Sequence, residues 1–196
     1  MTDGDLDAAA NAIRRGELVV YPTETVYGLG ADALNEAAVE RVFEVKRRKR
    51  DDPLSLAVPS AEAAMEYVRV DGRVREFMAA FLPGPVTVVC EKTPAVPDVL
   101  TGGRDRVGVR VPDHDVALAL LERVAPITAT SANVSGRPSA TSVEDLDDEI
   151  VASVAAIVDG GETPGGGSTV VDPDRGTIHR RGPLAGEIEA WLAGRP

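Results

Sequence analysis

The chain has 196 residues and a mass of 20.5 kDa, with 43% hydrophobic residues, which is enough for the core of one domain and excludes an intrinsically disordered protein. Asp and Glu number 32 against 21 Lys and Arg, a formal charge of −11, and such a surface repels nucleic acid and anionic membrane. The longest apolar runs, such as 86–90, are far shorter than the roughly 20 residues that span a bilayer, and the acidic start Met-Thr-Asp-Gly-Asp-Leu-Asp has no signal-peptide core.

Apolar residues then set the elements in chain order. Leu6, Ala9, Ala10 and Ile13 recur at helical spacing, with Gly16 as the stop. Leu18 to Tyr21 predicts a strand closed by Pro22, and 23–34 a loop. Asn35 caps a predicted helix carrying Val39, Val42, Phe43 and Lys46. A strand over 54–58 leads to Pro59-Ser60, which opens another helix, and Val74, Phe77, Met78 and Phe81 form a core-facing helical stripe ended by Pro83-Gly84-Pro85. Strands follow over 86–90 and 107–111, a helix over 115–123, a strand over 127–130 and a polar loop over 131–142. Short strands over 154–158, 169–171 and 177–179 precede a last helix over 188–192. This alternation predicts one α/β domain, residues 1–196, with a mixed sheet. The single cysteine, Cys90, falls in a strand and reads as a buried core thiol.

Several catalytic templates fail. Gly28-Leu29-Gly30-Ala31-Asp32-Ala33 fits the dinucleotide pattern in letters, but the preceding strand stops at Pro22 and the helix starts after Asn35. No P-loop or Gly-x-Ser-x-Gly elbow occurs, and His114 and His179 have no Cys or His at ligand spacing, so no protein-held metal is expected.

Three polar clusters remain. The loop Pro22-Thr23-Glu24-Thr25-Val26-Tyr27-Gly28 offers hydroxyls, a carboxylate and backbone amides at a strand end; it reads equally as a ligand loop or a capped turn. Lys46-Arg47-Arg48-Lys49-Arg50 places five cations together, more than a helix C-terminus needs, and so marks an anion site in an acidic chain. The spacing lets Lys46 and Arg48 both reach forward from the helix end. Ser131 and Asn133, two apart in Thr130-Ser131-Ala132-Asn133, point the same way if the backbone is extended, which suits an amino acid or a phosphate, although a Ser/Asn turn fits as well. Gly165 to Thr169 and Arg180-Arg181 add a further glycine-rich segment and further cations.

Taken in order, these stretches resemble the YrdC family, specifically its threonylcarbamoyl-AMP synthases. The matching segments are 21–30, Lys46-x-Arg48 with Pro53-Leu54, 82–87, 109–112, Thr130-Ser131-Ala132-Asn133-x-Ser135-Gly136, 168–172 and Arg180 before Gly182. The resemblance implies a twisted mixed α/β sheet with flanking helices around a basic cavity, the YrdC/RibB-like fold. It also implies a nucleotidyltransferase that converts L-threonine, bicarbonate and ATP to threonylcarbamoyl-AMP and pyrophosphate. A partner tRNA threonylcarbamoyl transferase complex then completes t6A at position 37 of ANN-decoding tRNAs. Mg²⁺ is expected to enter with the phosphates of ATP rather than in a protein cage.

Carried over by position, Lys46, Arg48, Ser131 and Asn133 are the catalytic signature. Thr25, Tyr27 and Arg110 are implied on the threonine side, and Arg50, Thr130, Ser168 and Arg180 join the signature around the nucleotide. Arg47 and Lys49 stand where relatives often carry Gly and Pro, and their charge reads as compensation for salt screening, with a Debye length of about 3 Å at 1 M. Residues 55–58 lack a histidine that some relatives place there. The acid-rich, lysine-poor composition points to a cytoplasmic, halophilic protein without membrane contact. Two other readings are an RNA-binding module of the same fold, disfavoured by the net charge and by 4% aromatics so that any tRNA contact is weak, and a paralogue carrying out another ATP-dependent carbamoylation.

Overall fold

The structure is a computed structural model that describes residues 2–194. In chain order it contains α1 (Asp3–Arg14), β1 (Val19–Tyr21), β2 (Gly28–Gly30), α2 (Glu36–Lys46), β3 (Ser55–Ala57), α3 (Ala61–Ala64), β4 (Val68–Arg69), α4 (Gly72–Phe81), β5 (Val86–Lys92), α5 (Asp98–Thr101), β6 (Arg106–Arg110), α6 (Asp115–Arg123), β7 (Ile127–Ala129), α7 (Asp148–Val151), β8 (Ala156–Ile157), β9 (Thr169–Asp172), β10 (Thr177–Arg180) and α8 (Ala185–Ala193). The caps read from the sequence are present: Asn35 Oδ1 accepts from the amides of Ala37 (3.1 Å) and Ala38 (3.2 Å), and Ser60 Oγ accepts from Ala63 N at 3.1 Å. The elements not anticipated, β2, β4, α5 and α7, are two to four residues long, too short for a periodic signal.

The strands form two mixed sheets rather than one. The larger has the order β10-β9-β5-β6-β3-β7, with β4 paired to β5; the smaller has the order β2-β1-β8. β3/β6, β5/β9 and β1/β8 are parallel pairs and the others antiparallel. The sheets meet where β2 runs beside β7: Leu29 N donates to Thr130 O (2.8 Å) and Thr128 N to Ala31 O (2.9 Å). This contact brings the loop after β1 and the loop after β7 together above the larger sheet.

The glycines of β2 serve packing, since a Cβ on Gly28 would stand 2.9 Å from the Tyr21 ring and one on Gly30 3.1 Å from it. Among the helices, α1 and α6 cover the smaller sheet with Leu6, Ala9, Ile13, Leu120 and Leu121. The main core takes Val39, Val42, Phe43, Val74, Phe77 and Met78 from α2 and α4, together with the inner faces of β3, β5, β6 and β9. Cys90 lies in that core, and burial pushes its thiol up to about 12, which leaves it unreactive at neutral pH.

Helix α2 ends at Arg47, which holds a left-handed φ of 51°, the only non-glycine to do so among the described residues. This is the conformation that glycine favours at a helix C-terminus. Its side chain pairs with Glu149 on the surface, a contact of little worth. Arg47→Gly is therefore expected to raise stability by about 0.5–1 kcal/mol, read as a higher urea midpoint with an unchanged m-value.

Candidate active site

One face of the larger sheet is the floor of a cavity of about 770 Å³. Strand alternation builds it. On β6, Arg106, Gly108 and Arg110 face the cavity while Val107 and Val109 face the core; on β5, Thr87 and Val89 face the cavity while Val86, Val88 and Cys90 face the core. Ser55 of β3, Ala129 of β7 and Val170 and Asp172 of β9 complete the floor, and the loops after β1 and β7 form the walls. Gly108 is required at the centre: a Cβ there would lie 2.8 Å from Thr87 Cγ2 and closer still to Ser55 Oγ. Gly108→Ala is expected to destabilise by about 2 kcal/mol through overpacking, seen as a lowered Tm, and to shrink the cavity floor.

The cavity is basic in an acidic chain, lined by six arginines (48, 104, 106, 110, 175 and 180) and two aspartates (52 and 172). Arg110 Nη2 donates to Thr25 Oγ1 at 2.7 Å and pairs with Glu24 Oε1 at 3.0 Å, while its Nε is buried without a partner. Arg180 donates from Nε to Ser168 O and from Nη2 to Ser168 Oγ, both at 2.9 Å, and Ser168 Oγ lies 2.8 Å from Thr87 Oγ1. Burial lowers the pKa of Arg180, and the charges of Arg110 and then Arg48 lower it further. Arg180 thus feels two further guanidiniums across one cavity, an arrangement that an anion stabilises. Arg48 is fixed by Asp52 O (2.9 Å), Pro53 O (3.0 Å) and the Asp52 carboxylate (3.0 Å).

Of the residues singled out in the sequence, Arg48, Thr25, Arg110, Thr130, Ser131, Ser168 and Arg180 line this cavity. Lys46, Asn133, Tyr27 and Arg50 do not. Lys46 is 1% exposed, and its ammonium donates to Ser131 O, Asn133 O (2.8 Å) and Asn133 Oδ1 (3.4 Å). Burial first, and the Arg48 charge second, lower its pKa to about 7. Lys46 and Arg48 diverge because the left-handed Arg47 turns the chain between them. Ser131 and Asn133 sit in a turn, with Asn133 N donating to Ser131 O at 3.0 Å, and their side chains meet, Ser131 Oγ donating to Asn133 Oδ1 at 2.5 Å, so Ser131 reaches the cavity while Asn133 stands behind it. The Asn133 amide instead donates to Val134 O (3.0 Å) and Arg137 O (2.8 Å) and shapes the loop.

Arg50 lies on the outer side of α2, paired with Glu40 at 2.5 Å and stacked 5.0 Å over Phe43. The run 46–50 does not act as one cluster: Arg48 alone of the five lines the cavity, and Arg50 is not brought to the other residues singled out for the nucleotide. Tyr27 is buried behind the wall, its hydroxyl donating to Gly161 O at 2.7 Å, with Asp159 Oδ1 3.2 Å away, and accepting from Gly160 N at 3.1 Å.

The sequence reading missed Arg104, Arg106, Arg175 and Asp172. Arg106 was available from the alternation Arg106-Val107-Gly108-Val109-Arg110, whose polar face continues from Arg110. Arg175 sits in the turn between β9 and β10, which carries no such period. Arg106 and Asp172 form a buried pair at 2.7 Å; Arg106 Nε donates no hydrogen bond and Asp172 Oδ2 accepts none, and Arg175 Nε stands 3.8 Å from Asp172 Oδ2.

A mixed α/β fold whose main sheet opens into an arginine-lined cavity of about 770 Å³ offers a site suited to anionic ligands. The chain belongs to the Sua5/YciO/YrdC family: the model for that family, described as "Telomere recombination", matches residues 11–182. It is 48% identical over 167 residues to the threonylcarbamoyl-AMP synthase of Pyrococcus abyssi, covering 84% of this chain and 49% of that protein. It is 40% identical over 167 residues to the Bacillus subtilis protein of the same name, covering 82% of this chain and 47% of the relative. The crystal structure of P. abyssi Sua5 complexed with L-threonine superposes with a TM-score of 0.91 at 44% identity, covering 97% of this chain and 58% of that one. The chain thus spans about half the length of these two curated relatives.

Proposed function

We propose that this chain, acting as a single YrdC-like domain, is an L-threonylcarbamoyladenylate synthase. Threonine's amine adds to bicarbonate with loss of water to give a carbamate. A carbamate oxygen then attacks the α-phosphorus of ATP, the P–O bond to the β-phosphate breaks, and pyrophosphate leaves. The convergence of Arg48, Arg110 and Arg180 on one cavity carries this reading, because the reaction needs positioning and charge neutralisation rather than a covalent nucleophile. The names of the relatives and the threonine complex of P. abyssi Sua5 support it.

In this reading Arg110 and Thr25 take the threonine side. Arg48, Arg180, Ser168, Thr130 and Ser131 hold the nucleotide. Lys46 and Asn133 set the loop that presents Ser131. Mg²⁺ enters with the ATP phosphates, since the cavity carboxylates Asp52 and Asp172 are each tied to arginine. The product goes to a tRNA threonylcarbamoyl transferase complex for t6A synthesis, with tRNA itself contacting this chain weakly. The site of action is the cytoplasm, and the acidic surface is suited to high salt. Among the described residues no helix is long and apolar enough to cross a membrane.

The test is pyrophosphate release in high-potassium buffer with mass spectrometry of the nucleotide. Release that requires both L-threonine and bicarbonate, with a threonylcarbamoyl-AMP mass, is the expected result. Turnover without threonine would replace this reading with another ATP-dependent carbamoylation. Retention of tRNA at working salt without turnover would point to an RNA-binding module.

A further inference from the structure

The segment 159–167 has no regular secondary structure and reaches the cavity at its end. It is tied at three points. Gly160 N, Gly161 O and Asp159 Oδ1 converge on the Tyr27 hydroxyl at 3.1, 2.7 and 3.2 Å. Thr163 N and Oγ1 both donate to Thr141 O, at 2.8 and 3.1 Å. Gly165 N donates to Thr25 O at 2.7 Å. Thr25 and Thr141 are cavity residues from two different loops, those after β1 and β7, and the strap's own Gly166 and Gly167 also line the cavity. Gly165 and Gly166 hold φ values of +85° and +82°, so the strap bends sharply into the cavity wall where a side chain would be strained.

We propose that the 159–167 strap couples the two substrate-binding loops, and that Tyr27 is the positioning residue that holds it. The inference rests on the proposed synthase reading, which assigns threonine to the Thr25 side. A ligand that orders the Thr25 loop also orders Gly165 and, through it, the wall at Gly166–Gly167. The second ligand then meets a wall already ordered, so each substrate tightens the other, and the effect is reciprocal. Tyr27 does not line the cavity. Its ring is fully buried in the main core, so Phe fits the same space while the three strap contacts are lost.

The experiment measures the affinity of a non-hydrolysable ATP analogue with and without saturating L-threonine, for wild type, Tyr27→Phe and Thr163→Val. It is paired with amide exchange of the unliganded proteins. Wild type is expected to bind the analogue at least about fivefold more tightly with threonine. Tyr27→Phe is expected to hold that factor below about twofold, with KM raised for both substrates, kcat little changed at saturation, and faster exchange at Gly160 and Gly165. Thr163→Val, which keeps its backbone donor, is expected to fall between them. Unaltered coupling in Tyr27→Phe, or no coupling in wild type with both ligands bound, would overturn the proposal. Unchanged exchange at Gly160 and Gly165 would remove Tyr27 as the anchor. Binding of neither ligand by wild type would overturn the synthase reading, and the exchange comparison reads the strap independently of it.

Discussion

Arg48→Ala is expected to lower threonine-dependent pyrophosphate release at least about tenfold in kcat/KM, while Arg47→Ala leaves it within about twofold. The two residues are adjacent, both are arginines and both belong to the same basic run, so a general electrostatic effect of the run would cost them equally. The structure separates them. Arg48 is 22% exposed and faces the cavity; Arg47 is 64% exposed and faces Glu149. A charged hydrogen bond to a phosphate is worth about 1.5–3 kcal/mol, which corresponds to roughly tenfold to 150-fold in rate when the contact is made in the transition state. The exposed charge of Arg47 is screened by salt to almost nothing at cavity distance. Steady-state kinetics of the two variants in high-potassium buffer decide the matter, and equal losses would show that the cavity does not hold the phosphates through Arg48.

The divergence of Arg47 and Arg48 also marks how far the sequence could be read. Helix α2, its Asn35 cap and its core stripe followed from spacing, as did helix α6 over 115–123 and the strands that flank the cavity. Arg110, Ser168 and Arg180 were placed by resemblance, and the strands they stand on or flank bring them to one cavity. The direction of a side chain beyond a helix end depends on one backbone angle. At Arg47 that angle is left-handed, a state which the letter Arg does not announce. Asn133 stands beside Ser131, as its position two residues on suggests, but through a turn rather than an extended backbone, so its amide reaches Ser131 Oγ and the loop carbonyls instead of the cavity. Tyr27 sits in a motif that reads as ligand-binding, yet its hydroxyl serves a segment more than 130 residues away, which no local pattern records. The division into two sheets followed from β2, three residues long and two of them glycine.

Lys46→Met is expected to lower stability by about 3 kcal/mol, a Tm shift of roughly 6–12 °C, and to cut pyrophosphate release at least about tenfold although Lys46 does not line the cavity. Methionine fills most of the same space, so the loss is that of the donors. Asn133 O would be left buried without the ammonium, Ser131 O would keep only Asn133 N, and Asn133 Oδ1 would keep only Ser131 Oγ. Lys46 O also accepts from Ser135 N at 2.8 Å, so this one residue holds both sides of the 131–135 loop. Release of that loop displaces Ser131 from the cavity wall, and misplacement of about 1 Å is enough to cost a hundredfold in a reaction that depends on positioning.

The pH dependence distinguishes this role from simple packing. The pKa of Lys46 is lowered in the fold to about 7, from 10.5. Below about pH 7 both folded and unfolded states carry the proton, and the cost of burying the charge is present in full. Between about 7 and 10.5 the unfolded state binds the proton and the folded state does not, so stability rises with pH, by at most about 1.4 kcal/mol per unit. The stability difference between wild type and Lys46→Met is therefore expected to widen from pH 7 to pH 9 in urea titrations. A difference that stays flat over that interval would show that Lys46 keeps its proton throughout and that its three carbonyl contacts outweigh its burial.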